Sequence, residues 1–191
     1  MLQDQLKQEK VMTHLLFVDD EPNVLKAMSR ACRNDAILPS LGRPKITTFE
    51  SAYGALQFLR HNRVDVVVSD FRMPEMNGAT LLMQVRQLQP DAARVIVSGF
   101  ADFEGLIRAI NDAAIFAFMP KPWSDADMKR TILDALAESK ELAENRLLSD
   151  EMRAQQGVLS PQEVAMRLLQ TESPAIARVE LRADGAVLLV A

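Results

Sequence analysis

Three aspartates stand where short apolar runs of the sequence end. Asp19 and Asp20 follow HLLFV (His14–Val18), and Asp70 follows VDVVVS (Val64–Ser69). Carboxylates brought together repel one another unless a cation lies between them, and Mg²⁺, a hard ion, prefers oxygen ligands while keeping several waters. A carboxylate beside such an ion can act as a nucleophile toward a phosphoryl group. The chemistry predicted for this constellation is formation of an acyl phosphate on Asp70.

Two further polar side chains end the next apolar runs along the chain. Ser98 follows RVIV (Arg94–Val97) and can donate a hydroxyl hydrogen bond to a phosphoryl oxygen. Lys121 lies just beyond IFAFM (Ile115–Met119) and can supply a cation. Aspartate is also common in ordinary turns, so the acids alone have a purely structural explanation. The added hydroxyl and lysine, in this order along the chain, favour the chemical interpretation.

The elements that must position these residues alternate in type. Short β-branched or apolar runs alternate with longer amphipathic stretches, which indicates βαβ units and a parallel sheet. The predicted strands are His14–Val18, Lys45–Phe49, Val64–Ser69, Arg94–Val97 and Ile115–Met119. The predicted helices are Val24–Arg33, one that Ser51 can cap and that runs to about Asn62, Ala79–Leu88 and Asp102–Asn111.

We therefore predict an α/β fold, a doubly wound five-stranded parallel sheet in the flavodoxin-like order 2-1-3-4-5. In that order the carboxyl ends of strands 1 and 3 flank the topological switch point, where ligands bind. Those two strand ends carry Asp19, Asp20 and Asp70. The predicted topology thus brings the three acids to one crevice.

The sequence changes character after Trp123. Ser124 suits a helix N-cap, and neither Gly nor Pro follows before Gly157, so one long helix is expected. That helix either protrudes and pairs weakly with a partner, or breaks and folds back. The last residues predict a small αββ unit: a helix from Ser160 to about Gln170, then strands on either side of an Asp-Gly turn. The predicted strands are Ile176–Arg182 and Ala186–Val190.

The sequence resembles the receiver domain of two-component response regulators. The residues that carry the resemblance are VDDEP at 18–22, VVVSDFRMPEMNG at 66–78, VIVSGF at 95–100 and FAFMPKPW at 116–123. The stretch AINDAAIFAFMPKPW is further similar to receivers attached to HD-type phosphodiesterases and to some hydrogenase regulators. The predicted organisation is a polar segment at 1–12, a receiver at 13–139, a helical extension at 140–156 and the αββ tail at 157–191.

The resemblance implies a role for each site residue. Asp20 would bind Mg²⁺ directly and Asp19 through water, with the backbone carbonyl of Arg72 as a further ligand. Asp70 would accept the phosphoryl group, and Lys121 would bind it. Ser98 would be the switch hydroxyl and Phe118 its aromatic partner. The Lys121–Pro122 bond is of a kind that is usually cis in the family.

Two features depart from the family pattern. Leu38–Pro44 resembles an insertion between the first helix and the second strand. Pro120 lacks a backbone donor immediately before Lys121 and is expected to loosen the exit of the fifth strand.

Composition and charge limit the classes of protein to which this sequence can belong. Apolar residues make up 48% and charged residues 25%, and the net charge of −4 leaves no sequence-wide basic footprint for nucleic acid. The apolar runs are too short to span a bilayer, and the polar N-terminus lacks a signal-peptide core, so a cytoplasmic protein is expected. Cys32 is expected to be a small buried side chain rather than a reactive thiol. His14 and His61 are expected to be structural or surface residues.

The function implied by the resemblance is a phosphorylation-driven switch. A sensor histidine kinase would phosphorylate Asp70, and the long helix and tail would switch homodimerisation or binding to an unidentified downstream protein. The alternatives are a pseudo-receiver scaffold that is never phosphorylated, and the receiver part of a longer regulator. The tail shows no GGDEF, EAL, HD-GYP or P-loop motif and no basic recognition helix, so neither an output enzyme nor direct DNA binding is predicted.

Overall fold

The computed structural model describes residues 13–33, 43–99, 113–160, 162–164, 166–167, 179–181 and 187–189. The polar segment 1–12, most of the predicted insertion, the predicted helix 102–111 and the predicted Asp-Gly turn lie outside these residues. The strands are β1 (His14–Val18), β2 (Lys45–Phe49), β3 (Val66–Asp70), β4 (Ala93–Ser98), β5 (Ala117–Pro120), β6 (Val179–Leu181) and β7 (Val187–Leu189). The helices are α1 (Pro22–Arg33), α2 (Ala52–Leu59), α3 (Gly78–Leu88) and α4 (Asp125–Gln155).

Five parallel strands form one sheet in the order β2-β1-β3-β4-β5, which confirms the predicted fold. Strands β1, β3 and β4 are buried along their whole length. Helices cover both faces of such a sheet, so its central strands read as nearly unbroken apolar runs. The carboxyl ends of β1 and β3 lie side by side, with Val18 opposite Ser69.

Alternate residues of each strand pack into two separate core layers. Leu16, Val67 and Ile96 belong to the layer that α2 and α3 cover. Phe17 and Val68 belong to the opposite layer, which α1 and α4 cover. This alternation follows from the two-residue repeat of a β-strand, and because helices cover both faces, it leaves the strand ends rather than the sheet faces open to a ligand.

Several element ends differ from the predicted ones for local reasons. β3 begins at Val66 because the amide of Val64 donates to the Gln89 side chain (3.0 Å). α2 ends at Leu59, before Asn62, whose side chain bonds back to the carbonyl of Phe58 (3.0 Å). Ser51 occupies the N-cap position of α2, but its side chain makes no capping hydrogen bond.

The long helix α4 is continuous over 31 residues. It therefore does not break, as the second of the two predicted alternatives required. The Ser124 hydroxyl accepts a hydrogen bond from the Asp127 amide, and the Asp127 carboxylate accepts one from the Ser124 amide, which forms the capping box that fixes its start. Beyond Ser139 the helix still contacts the sheet domain, because Arg146 makes a bidentate ion pair with Asp91 (2.8 and 2.6 Å).

The chain turns back after α4. Gly157 adopts a left-handed conformation (φ 71°) that ends the helix, and a second capping box at Ser160 and Glu163 starts a short helical stretch. Arg167 in that stretch pairs with the buried Asp150 of α4 (2.8 Å). β6 and β7 form an antiparallel pair, so the described part of the tail has the predicted αββ order. No helix among the described residues is long and apolar enough to cross a membrane.

Candidate functional site

Asp70 is the last residue of β3 and lies buried at the carboxyl edge of the sheet. The backbone amide of Arg72 donates to its Oδ2 (2.6 Å), and the Ser69 hydroxyl donates to its carbonyl oxygen (2.8 Å). The Phe71 amide donates to the Val97 carbonyl (3.0 Å) and holds the chain beside β4. Asp70 Oδ1 is left to face the neighbouring strand ends.

Lys121 joins the carboxylates of two strands. Its Nζ contacts Asp19 Oδ2 at 2.8 Å and also forms an ion pair with Asp70 Oδ1. Asp19 is completely buried, and its Oδ1 accepts from the Glu21 amide (2.9 Å). The backbone amide of Lys121 donates to the Ser98 carbonyl (2.8 Å), so the lysine is fixed to the end of β4 despite Pro120. The expected loosening of this strand exit by Pro120 stays a prediction.

The electrostatics follow from two carboxylates sharing one ammonium. Burial raises the pKa of Asp70 above its usual value, the contact with Lys121 opposes this rise, and the charge of Asp19 adds to it. Burial acts to lower the pKa of Lys121, but its hydrogen bonds to Asp19 and Asp70 and their charges raise it overall. Lys121 is therefore charged at neutral pH, and the pair of acids retains excess negative charge.

The remaining predicted site residues lie around this centre. Asp20 follows Asp19 and is exposed. Ser98 is buried at the end of β4, where its hydroxyl approaches the Gly99 carbonyl at 3.5 Å. Phe118 in β5 is half-buried and packs against the core layer under α2 and α3. The Lys121–Pro122 bond is cis, as predicted.

The donor chemistry suits a hard divalent cation. Carboxylates of Asp19, Asp20 and Asp70 and the Arg72 carbonyl supply only oxygen, the ligand type that Mg²⁺ prefers. Within the described part of the chain, no three acidic, His or Cys side chains converge to hold a metal by themselves. Mg²⁺ needs only one or two protein carboxylates, because waters complete its coordination shell, so the residues fit this ion.

Gly78 is a positioning residue to which the sequence alone assigned no role at the site. A Cβ atom at this position would lie 2.0 Å from the Asp70 carbonyl oxygen and 2.8 Å from the Ser69 hydroxyl. The Gly78 amide donates to the Phe71 carbonyl (3.0 Å), and Asn77 caps α3 through the Thr80 amide (2.8 Å). The start of α3 is thus packed directly onto the backbone of Asp70. The available signal was the Asn-Gly pair that lies seven and eight residues after Asp70.

The cysteine and histidine predictions agree with the structure. Cys32 is buried in α1, and burial raises the pKa of its thiol to about 12, which leaves it unreactive at neutral pH. His14 is buried at the start of β1, where its ring nitrogens contact the Arg63 carbonyl (2.8 Å) and the Thr47 hydroxyl (2.9 Å). His61 is exposed.

Similar proteins were found among regulators and their receiver domains. The chain is 32% identical over 122 residues to the hydrogenase transcriptional regulatory protein HoxA of Bradyrhizobium diazoefficiens, a match that covers 64% of this chain and 24% of HoxA. It is 27% identical over 176 residues to the transcriptional regulatory protein GlrR of Escherichia coli K12, which covers 92% of this chain and 35% of GlrR. The chain therefore spans about a third or less of the length of these relatives.

A solved structure of a receiver domain is also similar to this chain. The signal receiver domain of an HD domain-containing protein from Pseudomonas fluorescens Pf-5 superimposes with a TM-score of 0.59 at 28% identity. The match covers 68% of this chain and 98% of that domain. Residues 15–133 match the family described as the response regulator receiver domain. With the fold, the buried acids and the bridging lysine in place, the chain belongs to the response regulator receiver family.

Proposed function

We propose that Asp70 accepts a phosphoryl group from a sensor histidine kinase and that this modification switches the chain between two binding states. The observation that carries the proposal is the Lys121 ammonium held between the buried carboxylates of Asp19 and Asp70. A cation in this position can neutralise a transferring phosphoryl group, and Asp70 is the carboxylate at the end of β3 that faces it.

The proposed transfer needs few protein groups. A carboxylate oxygen of Asp70 attacks phosphorus, the O–P bond forms, and the bond between phosphorus and the kinase histidine nitrogen breaks, leaving its electron pair on nitrogen. Lys121 holds one phosphoryl oxygen, and the Ser98 hydroxyl donates to another. Asp20, Asp70 and the Arg72 carbonyl would hold Mg²⁺, with Asp19 acting through water, and the ion would supply positive charge to the phosphoryl group. Water later hydrolyses the acyl phosphate, which resets the switch.

The proposed readout lies in β5, α4 and the tail. Movement of Ser98 toward the phosphoryl group leaves space for Phe118 to turn inward, which changes the surface beside β5. Helix α4 carries exposed apolar side chains at Leu147, Leu148 and Met152 in its second half. Such side chains favour homodimerisation or binding to a downstream protein as the signal that phosphorylation controls.

Phosphorylation by a small-molecule donor tests whether Asp70 can accept a phosphoryl group. Incubation with acetyl phosphate and Mg²⁺ is expected to add one phosphoryl group, detected by intact-protein mass spectrometry and a Phos-tag shift. Asp70→Asn is expected to abolish the modification, while Asp134→Asn, an exposed aspartate of α4, is expected to keep it. A wild-type chain that stays unmodified would favour the alternative of a pseudo-receiver scaffold.

The second test concerns the readout. Light scattering with and without beryllofluoride, on the full chain and on a chain ending at Ser139, is expected to show a change of mass that requires residues 140–191. Equal partner binding by wild type and Asp70→Asn would instead favour the scaffold.

A second candidate is the receiver and linker part of a longer transcriptional regulator. The match to GlrR, which extends over 92% of this chain but only 35% of GlrR, favours it. In that case phosphorylation would control a DNA-binding output outside these 191 residues. The predictions that these residues themselves bind no DNA and form no output enzyme, and that the protein is cytoplasmic, remain proposals. Gene-context sequencing around the coding region and full-length expression test this candidate.

A further inference from the structure

A groove of about 730 Å³ lies between α1 and the edge strand β2. Leu25 and Ile46 contribute apolar surface to it, and three cationic side chains of α1 line one wall. These three are Lys26, Arg30 and Arg33. The groove uses none of the residues proposed above for phosphoryl transfer.

The three cations form one stripe on α1. Lys26, Arg30 and Arg33 follow the four- and three-residue spacing of a helix face, and all three are exposed. None makes an ion pair or hydrogen bond within the described part of the chain, although the whole chain carries a net charge of −4. Arg30 and Arg33 lie in the last turn of α1, where cations stabilise any helix, but Lys26 lies outside that turn.

The edge of β2 offers backbone groups beside this stripe. The Lys45 amide donates to the Thr13 carbonyl (2.8 Å), and the Phe49 carbonyl accepts from the Asp19 amide (3.2 Å). These residues therefore turn their backbone groups toward β1, and Ile46 and Thr48 between them turn theirs to the other side of β2, where no described strand pairs with it. An extended peptide can pair with such an edge as an added strand.

Acidic and basic side chains lie toward opposite ends of the groove. Glu50 and Asp125 line the end near the carboxyl edge of the sheet, while Arg30 and Arg33 lie toward the other end, because α1 runs back from that edge. A ligand with carboxylates opposite the two arginines is attracted, and one with carboxylates beside Glu50 is repelled.

We propose that this groove binds an extended acidic segment of a partner protein, which adds to β2 as a further strand. Side chains alternate across a strand, so every second residue of the segment faces α1. Carboxylates at those positions pair with Lys26, Arg30 and Arg33, and apolar residues between them extend the opposite face of the sheet beside Phe49. This docking surface operates whether or not Asp70 is phosphorylated.

Fluorescence anisotropy with two labelled peptides tests the proposal. A heptapeptide alternating glutamate with valine is expected to bind, more weakly as salt is raised, whereas one alternating lysine with valine is expected not to bind. The double variant Lys26→Glu, Arg30→Glu is expected to weaken binding at least about tenfold, because two attractions become repulsions.

A matched control separates recognition from helix stability. Arg60→Glu also reverses a cation at the end of a helix, α2, but on a different surface, and should leave peptide affinity within about twofold of wild type. Asp70→Asn should also bind the peptide normally, because the groove shares no residue with the phosphorylation site, and loss of binding in that variant would overturn a docking surface that operates independently of Asp70.

The second measurement follows the backbone amides of β2 by NMR. Adding the acidic peptide to the ¹⁵N-labelled full chain is expected to shift the amide resonances of Ile46 and Thr48 and to slow their hydrogen exchange. The proposal is overturned by absence of binding, by equal binding of the lysine peptide, or by binding that leaves these two amides unchanged.

Discussion

The two ends of the parallel sheet differ in the partners of their buried charged side chains. At the carboxyl ends, Asp19 and Asp70 share the single ammonium of Lys121. At the amino ends, the buried guanidinium of Arg94 donates to four backbone carbonyl oxygens. The carboxyl end thus retains negative charge that a ligand can neutralise, whereas the amino end is closed by fixed backbone partners.

Like Arg94, the side chains of His14 and Gln89 bond to uncharged partners. The His14 ring contacts a backbone carbonyl and a hydroxyl, and the Gln89 side chain amide donates to the carbonyls of Leu59 (2.8 Å) and Asn62 (2.7 Å). Polar groups satisfied by the backbone stabilise one conformation, while coupled charges with incomplete neutralisation are typical of functional sites. Residue type alone does not separate the two cases, since both ends use charged and polar side chains.

The largest expected effect lies at the amino end. Arg94→Met should lower the free energy of unfolding by about 3 kcal/mol or more, because it leaves buried carbonyl oxygens without donors. Urea denaturation measures this loss. Arg130→Met, on the exposed side of α4, should change the same quantity by no more than about 0.5 kcal/mol. A loss below about 1 kcal/mol for Arg94→Met would show that the guanidinium is dispensable there.

Gly78→Ala should have the next largest effect, at the carboxyl end. The added methyl meets the Asp70 carbonyl at 2.0 Å, so the backbone must move, at a cost of about 2 kcal/mol in unfolding free energy. Phosphorylation by acetyl phosphate should slow as well, because the displaced backbone carries Asp70, the proposed acceptor. For stability the matched control is Gly99→Ala, whose Cβ would meet no described atom within 4 Å. Equal stability of the two variants would refute the packing argument.

Asp70→Asn should produce a smaller effect of opposite sign. Burial raises the pKa of Asp70, so the stability contribution of this group is fully present below the ordinary pKa of aspartate and is lost as pH rises through the folded value. Removing the charge should therefore raise the unfolding free energy at pH 7 in metal-free buffer, by roughly 0.5–1 kcal/mol. Calorimetry at pH 7 checks the sign.

Adding Mg²⁺ to the same stability measurement tests whether Asp70 takes part in binding the ion. At ten times its dissociation constant, an ion that binds only the folded state adds about 1.4 kcal/mol of stability, and this gain should be smaller in Asp70→Asn than in wild type. An equal gain in both proteins would place the ion elsewhere.

The smallest expected effect is the pH dependence of His14. Burial, with a further contribution from Lys45, lowers the pKa of His14 below 6.5. Its stabilising contribution is therefore fully present above about pH 6.5 and is lost as pH falls through the lower folded pKa. Between pH 7.5 and 5.5, wild type should lose up to about 1 kcal/mol that His14→Gln does not lose. His61→Gln, at an exposed position, should follow wild type, and a His14→Gln profile identical to wild type would contradict the prediction.

The structure shows which elements were predictable. β1 and β2 were placed to the residue, because a strand is bounded by turn-forming residues and its apolar run ends abruptly at Asp19. The ends of α2, β3 and β5 were not, because side chains of Asn62 and Gln89 and the left-handed backbone of Ala114 (φ 46°) set them. The Gln89 contact joins segments 25 positions apart, the Asn62 contact depends on a side-chain conformation, and the Ala114 turn depends on backbone geometry, so the apolar pattern does not predict them.

The sequence by itself determined the fold class, the order of the strands and the acids, hydroxyl and lysine that end them, because apolar periodicity and the chain topology decide where strand ends meet. Only the tertiary structure decided that Lys121 reaches Asp19 across 102 positions of sequence and contacts Asp70 as well. It also decided that α3 packs onto the Asp70 backbone through Gly78, and that Arg94 is a structural cation. The physical reason is that ion pairs and close contacts depend on distances of a few ångströms, which are set by how the helices pack on the sheet.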